Sequence, residues 1–463
     1  MGDAHNKTGP GTKAAQPAPN LRALLVRARQ FQQAGRIDEA ATVYRSLLML
    51  DPANGDVHFL LGGILARKSD LAAARGHMEQ AVKLRPEVAE FHHGLGLLRL
   101  REKKPAEAID SFRKAIAAKP DFALAHNNLG TALRRSGDLA GALLHWRRAF
   151  QLKRAPTAPI SDIETFTVTS RTKLRHDIEQ FRYLRERNLL PSSFDGTIGA
   201  YESLLASLPD GADAPAFFRL GGDDRKRIGA SYNRLVNWLP VPAHETSPVN
   251  PNLPAQEIES AYAASGPGII HLDDLLTPRA LADLRRFCME STIWYDFKHE
   301  GGYLGAYINE GFDCELLLQI AQDLPKALPG IFHDHRLTQM WAYKYDSRLE
   351  GIGLHADAAA INVNFWITPD EANQDPDHGG LVVYDREAPA DWDFAKYNNN
   401  VPAIRKFLEE SGSRAVTVPY RQNRAVVFNS DLFHNTDRFT FAPGYENRRI
   451  NITMLFGERH ETA

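Results

Sequence analysis

The chain has 463 residues, of which 43% are hydrophobic and 24% charged. This length exceeds one ordinary core, and the composition is typical of a soluble globular protein with two or three domains. No apolar stretch approaches the roughly 18 residues that cross a bilayer, and residues 1–20 are polar, without an apolar signal segment. We therefore expect a cytoplasmic protein with no membrane partner and a flexible tail over residues 1–20. Cys288 and Cys314 are the only cysteines, too few for a disulfide framework or a thiolate metal site, so a metal here needs nitrogen and oxygen ligands.

Charge is unevenly distributed along the chain. Residues 21–156 carry 23 Lys and Arg against 13 Asp and Glu, a net charge of +10, although the whole chain has a net charge of −2. A basic first part and an acidic remainder predict either an acidic partner for the first part or docking of one part on the other. A nucleic-acid partner is disfavoured, because the basic residues are not interleaved with aromatic residues.

A step of 34 residues organises the sequence between 21 and 156. It relates a small residue, a Leu-Gly pair, a large apolar residue and a proline: Ala40, Ala74, Ala108 and Ala142; Leu61-Gly62, Leu95-Gly96 and Leu129-Gly130; Tyr44, Met78, Phe112 and Trp146; Pro52, Pro86 and Pro120. Small residues let two helices approach closely, the large residue fills the space beside them, and proline ends a helix. We divide the region into four units, 21–54, 55–88, 89–122 and 123–156.

This pattern resembles the tetratricopeptide repeat, and the resemblance implies an all-α superhelix of four repeats. Such arrays are usually binding surfaces, so we expect a protein or peptide partner, which the net charge predicts to be acidic. Arg67, Arg101 and Arg135 are also 34 residues apart, near the end of the first helix in three successive units. They either face a partner or complement the helix dipole, an effect of ~0.3–1 kcal/mol. Both interpretations stay open.

Residues 157–260 lose the repeat but keep a helical pattern, and we assign them to a helical cap and connector. The spacing of apolar residues predicts helices over Arg171–Leu190 and Ile198–Leu208, which fit a degenerate fifth repeat. The proline-rich stretch Leu239–Leu253 has few periodic residues, so we place the domain boundary there.

Residues 261–463 have the pattern of a second domain made of short strands. Turn signals separate most of six predicted strands, which are Gly268–Leu272, Gln339–Tyr345, Ile361–Ile367, Leu381–Tyr384, Ala425–Phe428 and Ile450–Phe456. Two helices, about 277–291 and 314–327, precede most of these strands. A β core with helices outside it suggests a sandwich or jelly-roll barrel.

Within this domain, His355-Ala356-Asp357 and the more distant His434 form a candidate metal site. A strand would place His355 and Asp357 on one face, where both can reach one ion, and a later strand can supply His434. Two imidazoles and one carboxylate leave coordination positions open, which suits non-haem Fe(II). A His-x-Asp motif alone is a weak signal that arises by chance.

The stretch Arg449-Ile450-Asn451-Ile452-Thr453 alternates polar and apolar residues. An arginine that faces the inside of a barrel needs an anion, and a carboxylate is its natural partner. The order His-x-Asp, distal His and Arg-x-Asn resembles the 2-oxoglutarate-dependent Fe(II) dioxygenases of the double-stranded β-helix fold, over roughly 265–460. The resemblance implies a jelly-roll barrel with flanking helices. It also implies Fe(II) held by the two histidines and the aspartate, dioxygen, and a 2-oxoglutarate whose 5-carboxylate binds Arg449. Arg448 points to the opposite face, which indicates a structural or gating role.

Further polar residues fit the same pocket. The resemblance places a co-substrate hydrogen bond at Tyr345, and Tyr343 shares its face. Asn362 and Asn364 alternate with apolar residues, and a buried asparagine needs a partner; together with Asn451, Asn364 is a candidate co-substrate residue. For each of these an ordinary structural role carries about equal weight. His378, which precedes a Gly-Gly turn, is expected at the surface.

We predict a 2-oxoglutarate-dependent hydroxylase that acts on a protein or peptide recruited by the repeats. This step is an analogy with hydroxylases that fuse such arrays to this fold. Two alternatives remain: a hydroxylase of a small molecule or glycan, with the array used for docking or oligomerisation, and a non-catalytic scaffold.

Overall fold

The structure, a computed structural model, describes residues 21–158, 164–211, 214–266, 268–297, 302–346 and 351–459. The predicted flexible tail, residues 1–20, lies outside these residues. Two compact units divide the chain, one ending at Asp138 and the other beginning at Leu139. No helix in the described ranges combines the length and apolarity that a membrane span requires.

The first unit is all-α. Its helices are α1 (Leu21–Gln33), α2 (Ile37–Leu50), α3 (Gly55–Arg67), α4 (Leu71–Leu84), α5 (Ala89–Arg101), α6 (Pro105–Ala118) and α7 (Ala123–Arg135). The starts of α1, α3, α5 and α7 are 34 residues apart, as are those of α2, α4 and α6. The structure therefore confirms the predicted helical repeat.

Close helix packing explains the small residues of the repeat. Ala40, Ala74 and Ala108 have no exposed surface. A Cβ built on Gly96 would lie 2.5 Å from the ring of Phe112, which is itself fully buried. Glycine is needed here because two helices approach closely, whereas Gly63 has no neighbour within 4 Å of such a Cβ.

A histidine column, His58, His92 and His126, also follows the 34-residue step, and we did not predict it. Each imidazole donates through Nε2 to a proline carbonyl six residues earlier. These are the carbonyls of Pro52, Pro86 and Pro120, at 3.1, 2.8 and 3.2 Å. The prolines follow the ends of α2, α4 and α6, so each histidine fixes the turn between two successive helix pairs.

The second unit contains helices and antiparallel sheets. Its helices are α8 (Leu139–Arg154), α9 (Glu164–Thr167), α10 (Arg171–Glu186), α11 (Asp195–Ser207), α12 (Gly222–Ile228), α13 (Ala255–Ala264), α14 (Pro278–Glu290), α15 (Glu315–Ala327), α16 (Pro329–Phe332), α17 (Phe394–Asn399) and α18 (Val401–Glu410). Its strands are β1 (Val168–Thr169), β2 (Phe218–Arg219), β3 (Ile269–Leu272), β4 (Tyr303–Tyr307), β5 (Leu337–Tyr345), β6 (Ile361–Trp366), β7 (Leu381–Glu387), β8 (Ala415–Val418), β9 (Ala425–Asn429), β10 (Leu432–Thr436) and β11 (Ile450–Phe456).

The strands form a six-stranded sheet in the order β3-β9-β6-β11-β5-β4, a three-stranded sheet β10-β7-β8 and a small pair β1-β2. All these pairings are antiparallel. The two larger sheets share a buried apolar core, which joins Trp366 and Phe428 of one sheet to Val383, Val418 and Leu432 of the other. This confirms the β-rich half; its closure as a double-stranded β-helix stays a prediction.

Basic residues of α8 pair with acidic residues of the second unit. Arg147 contacts the carboxylate of Asp313 and donates to its carbonyl at 2.7 Å. Lys153 and Arg154 reach the two carboxylate oxygens of Glu310, the first at 2.7 Å. Part of the basic excess of residues 21–156 thus lies on α8 and is paired with acidic residues of the same unit. The two charge-based alternatives, an acidic partner and docking of one part on the other, stay predictions.

Candidate metal centre and the cavity around it

Three predicted ligands come together in the second unit. One ligand atom each from His355, Asp357 and His434 lies within 4.8 Å of the others. The Nε2 atoms of His355 and His434 are 3.7 and 3.5 Å from the two carboxylate oxygens of Asp357. This spacing leaves room for one ion between the three side chains.

The His-x-Asp motif does not lie in a strand, and that part of the prediction was wrong. His355 forms an isolated antiparallel bridge with His434 on β10, through main-chain bonds of 3.0 and 2.8 Å. The ladder stops there because the amide of Ala356 donates to Tyr397 instead of to a neighbouring strand. The amide of Asp357 then donates to Ser430 at 3.2 Å. The two ligands of the motif are therefore fixed by separate contacts.

Main-chain carbonyls orient both histidines. The Nδ1 atom of His355 lies 2.8 Å from the carbonyl of Gly353, and that of His434 lies 3.1 Å from the carbonyl of Leu432. A carbonyl can only accept, so each Nδ1 carries the proton and each Nε2 offers its lone pair towards Asp357. Metal-binding histidines are commonly held in this way.

The electrostatics suit a metal ligand set. Burial lowers the pKa of His355 to about 4, so its imidazole is neutral at physiological pH. Burial acts to raise the pKa of Asp357, but the imidazoles of His434 and His355 and the amide of Asn362 keep it below its usual value. Neutral imidazoles and an ionised carboxylate are the forms that bind a cation.

A chain of amides supports Asp357 from β6 and β11. Asn362 donates to the Oδ2 atom of Asp357 at 2.8 Å and accepts from Asn364. The Oδ1 atom of Asn364 accepts from Asn451 at 2.9 Å and from Thr453 at 2.8 Å. The predicted residues Asn364 and Asn451 are thus joined to the ligand set through Asn362.

Arg449 is 1% exposed and lies between main-chain carbonyls and aromatic rings. Its Nε atom donates to Gly379 at 2.7 Å, and Nη2 donates to Gly380 at 3.1 Å. The guanidinium lies 4.6 Å from the ring centre of Tyr345. Within the described part of the chain, its Nη1 has no hydrogen-bond partner. A buried guanidinium nitrogen without a partner is costly, which points to an anion as the missing partner.

Backbone geometry requires both glycines beneath Arg449. Gly379 has a φ of +91°, which disfavours other residues. A Cβ on Gly380 would lie 1.9 Å from the carbonyl of Val418. Arg448 points away and pairs with Glu179 at 2.7 Å, which supports the structural role expected for it.

All of the predicted C-terminal site residues line one cavity of about 500 Å³. These are His355, Asp357, His434, Arg449, Asn451, Tyr345, Tyr343 and Asn364. Further lining residues that we did not predict include Tyr303, Tyr307, Trp341, Thr436, Phe394 and Asn398. Trp341 could have been found, because it shares the period-two face of Tyr343 and Tyr345. No pattern in the sequence pointed to Phe394 or Asn398.

Helix α17 brings the last two of these residues to the cavity. It belongs to an insert between β7 and β8, whose helices α17 and α18 pack on Leu354, Ala356 and Phe433. Asn398 donates to the carbonyl of Ala356 at 2.9 Å. The insert therefore holds the residue between the first two ligands and also forms part of the cavity wall.

In the first unit, the arginine row lies at helix ends. Arg67, Arg101 and Arg135 are exposed last residues of α3, α5 and α7. Arg101 donates to the carbonyl of Ala66, near the end of α3, at 2.7 Å. This contact supports the helix-end interpretation for Arg101.

Comparison with known proteins identifies the N-terminal array. The family model of the tetratricopeptide repeat matches residues 25–89, 66–121 and 93–159. Together with the helices, this shows that the N-terminal array consists of tetratricopeptide repeats. No curated protein matches the sequence.

Solved structures with a similar part include a MamA fragment from Desulfovibrio magneticus RS-1. It is 22% identical over 29% of this chain and 76% of its own, with a TM-score of 0.28. YrrB, a TPR protein with an unusual peptide-binding site, is 18% identical over 29% of this chain and 69% of its own, with a TM-score of 0.27. An O-GlcNAc transferase mutant from Thermobaculum terrenum is 24% identical over 32% of this chain and 29% of its own, with a TM-score of 0.29. At these TM-scores the likeness carries no functional argument.

Proposed function

We propose that the protein is an Fe(II)- and 2-oxoglutarate-dependent hydroxylase that acts on a protein or peptide recruited by its tetratricopeptide array. One observation carries the proposal. The cavity that contains the converging atoms of His355, Asp357 and His434 also contains the buried guanidinium of Arg449, with Nη1 unsatisfied among the described residues. A metal site beside an anion site is what a chelating dicarboxylate needs.

The donor set fits iron. Two imidazoles and one carboxylate leave open coordination positions, as in non-haem Fe(II) oxygenases. His355, Asp357 and His434 would hold the ion, and Asn362 would keep the carboxylate of Asp357 in place. The chemistry that iron, dioxygen and 2-oxoglutarate supply when bound is hydroxylation of an aliphatic C–H bond.

Other residues bind and orient. Arg449 would pair with the 5-carboxylate of 2-oxoglutarate through Nη1. The ring of Tyr345 covers the guanidinium, and its hydroxyl lies 3.4 Å from Thr436 Oγ1. Among the described residues, the Oδ1 atom of Asn451 has no hydrogen-bond partner, so it offers an acceptor to a bound group. Tyr303, Tyr307 and Trp341 add an aromatic wall to the cavity.

The choice of substrate depends on the array. Tetratricopeptide repeats commonly bind protein or peptide partners, which favours such a substrate over a small molecule or glycan. The net charge of the array favours an acidic segment.

Succinate formation tests the catalytic part. Anaerobically purified full-length protein is loaded with Fe(II), then given 2-oxoglutarate and air, and succinate is measured. We expect wild-type protein and a His271→Ala control on β3 to form succinate, and Asp357→Ala to form less than about 1% of that amount. No succinate from the wild type, or equal amounts from Asp357→Ala, would contradict the hydroxylase and favour the scaffold.

Deletion of residues 1–138 tests the role of the array, because it removes the first compact unit and keeps α8. We expect succinate formation without substrate to persist and hydroxylation of an acidic peptide partner to fall at least tenfold. Full hydroxylation after this deletion would favour the small-molecule alternative.

A further inference from the structure

The direction of Arg449 is set by a turn and not by an acidic side chain. Its guanidinium donates two hydrogen bonds to main-chain carbonyls, those of Gly379 and Gly380. The ring centres of Tyr345 and Phe439 lie 4.6 and 5.7 Å from the guanidinium carbon and 5.5 Å from each other. The rings restrict the space around the group, and the two carbonyls that bind Nε and Nη2 decide where Nη1 points.

The turn is fixed to the residues that follow β10. The amide of Gly379 donates to the carbonyl of Arg438 at 2.8 Å, and the amide of Asp437 donates to the carbonyl of Gly380 at 3.2 Å. A side-chain hydrogen bond joins them, between Nδ1 of His378 and Oδ2 of Asp437 at 2.9 Å, and Asp375 and Arg438 add a longer ion pair of 3.8 Å. The Asp437 side chain is 9% exposed and that of His378 is 25% exposed, so His378 lies partly at the surface, as expected, but its Nδ1 is held by Asp437.

Strand β10 and the residue that follows it therefore connect the candidate metal site to the turn beneath Arg449. It carries the ligand His434, and three residues later Asp437 holds the turn beneath Arg449. We infer that His378 and Asp437 are positioning residues that aim Arg449 at the distal carboxylate of 2-oxoglutarate. This inference rests on the proposed function. We call the pair the His378–Asp437 clamp.

Loss of the clamp has a specific consequence. The aromatic rings remain, and so do the two main-chain hydrogen bonds between the turn and the residues after β10. Arg449 therefore stays in the cavity, but the turn can shift, and the carbonyls of Gly379 and Gly380 shift with it. Binding of a ligand that uses Arg449 becomes weaker. Binding of a ligand that only chelates the metal does not become weaker, because the clamp contacts none of the three candidate metal ligands.

The test measures binding to full-length protein with Mn(II) in place of iron, under anaerobic conditions. Calorimetry gives the Kd of 2-oxoglutarate and of 2-oxobutyrate, which has the chelating groups but lacks the distal carboxylate. The variants are His378→Ala and Asp437→Ala, with His378→Gln as the conservative variant, because a glutamine can still donate to Asp437. Asp375→Asn is the matched control, since this acid lies on the same turn but contacts Arg438, at 3.8 Å.

We expect both alanine variants to raise the Kd of 2-oxoglutarate about tenfold, at the lower end of what outer partners of a binding group contribute. The Kd of 2-oxobutyrate stays within twofold of wild type, and His378→Gln and Asp375→Asn behave like wild type. In turnover with Fe(II), KM for 2-oxoglutarate rises while kcat at saturation is retained.

Two results would overturn the clamp. An equal loss of affinity for both ligands would show a general structural role, and an unchanged Kd for 2-oxoglutarate would show no role at all. If an alanine variant does not fold, the comparison of His378→Gln with Asp437→Asn decides, because Asp437→Asn keeps the shape but weakens the contact. Failure of the wild type to bind 2-oxoglutarate would contradict the proposed function itself.

Discussion

The orientation of the Asp357 carboxylate depends on Asn362, which is not itself a candidate metal ligand. Asn362 on β6 donates to its Oδ2 atom and is itself held by Asn364. This arrangement leaves Asp357 one preferred rotation, in which its two oxygens face His355 and His434. The amide of Asn362 would thus act on a bound metal through Asp357.

Asn362→Leu should weaken metal binding without unfolding the protein. The substitution removes the amide but keeps most of its volume, so we expect metal affinity to fall about 10- to 100-fold. Competition with a chelator measures this, and Asn447→Leu, outside the cavity, is the control. Equal affinity in both variants would show that Asn362 does not orient Asp357.

Lys344 lies on the opposite face of β5 from the cavity. It is fully buried, 4.3 Å from the ring centres of Trp294 and Tyr445, and donates to Cys288 and to the Tyr445 hydroxyl. Burial lowers the pKa of Lys344 well below its usual value. The unfolded chain binds this proton up to a pH of about 10.4, so stability falls as the pH is lowered from there.

Lys344→Met should therefore stabilise the protein, and more at pH 7 than at pH 10. The gain follows from the desolvation of the charged ammonium, which an apolar side chain of similar length does not incur. Both partners of Lys344 keep other hydrogen bonds, from Trp294 to Cys288 and from Tyr445 to Met289. Urea unfolding at both pH values measures the difference, and a gain that does not depend on pH would contradict the lowered pKa.

At the scale of elements, two glycines of the repeat should respond in opposite ways to alanine. In Gly96→Ala the new Cβ meets the buried ring of Phe112 at 2.5 Å, so we expect a loss of about 1–3 kcal/mol. In Gly63→Ala the space is open, and the better helix propensity should add about 0.5–1 kcal/mol. Hydrogen exchange in α3 to α6 measures both, and equal effects would contradict the close packing at Gly96.

The predictable elements were those with a clear period. Strands β5, β6 and β11 alternate two kinds of residue, and the prediction placed their ends within two residues of the observed ones. Strand β10 was not among the six predicted strands, because His434 and Asn435 interrupt its apolar pattern, although we expected a later strand to supply His434. The irregular path of His355-Ala356-Asp357 depends on Tyr397 and Ser430, which are distant in sequence, so local patterns could suggest these side chains but not the path of their backbone.

At the scale of the whole molecule, the fourth repeat does not stay in one unit. Its first helix, α7, belongs to the unit that ends at Asp138, and α8 belongs to the other. The 34-residue period could not reveal this, because the contacts of Arg147 with Asp313 span 166 residues.

Two truncations test this division. Deletion of residues 1–156 removes α8 and with it the cations that pair with Asp313 and Glu310 in the second unit. We expect this form to melt well below the form that lacks residues 1–138. Equal melting temperatures would show that α8 does not stabilise the second unit.

Among the described residues, the Nη1 atom of Arg449 has no hydrogen-bond partner, so this arginine costs stability that a ligand would have to justify. A selection for folding alone should accept an apolar residue of similar volume at position 449, because the replacement of a buried charge by packed apolar groups is often neutral or stabilising. A selection in which growth requires the proposed 2-oxoglutarate-dependent activity should keep arginine at position 449. Gly379 and Gly380 should be retained in both selections. The positive φ of Gly379 disfavours other residues, and a Cβ at Gly380 would collide with the carbonyl of Val418. The pattern of tolerated substitutions along this cavity wall would thus separate what the fold needs from what the ligand needs.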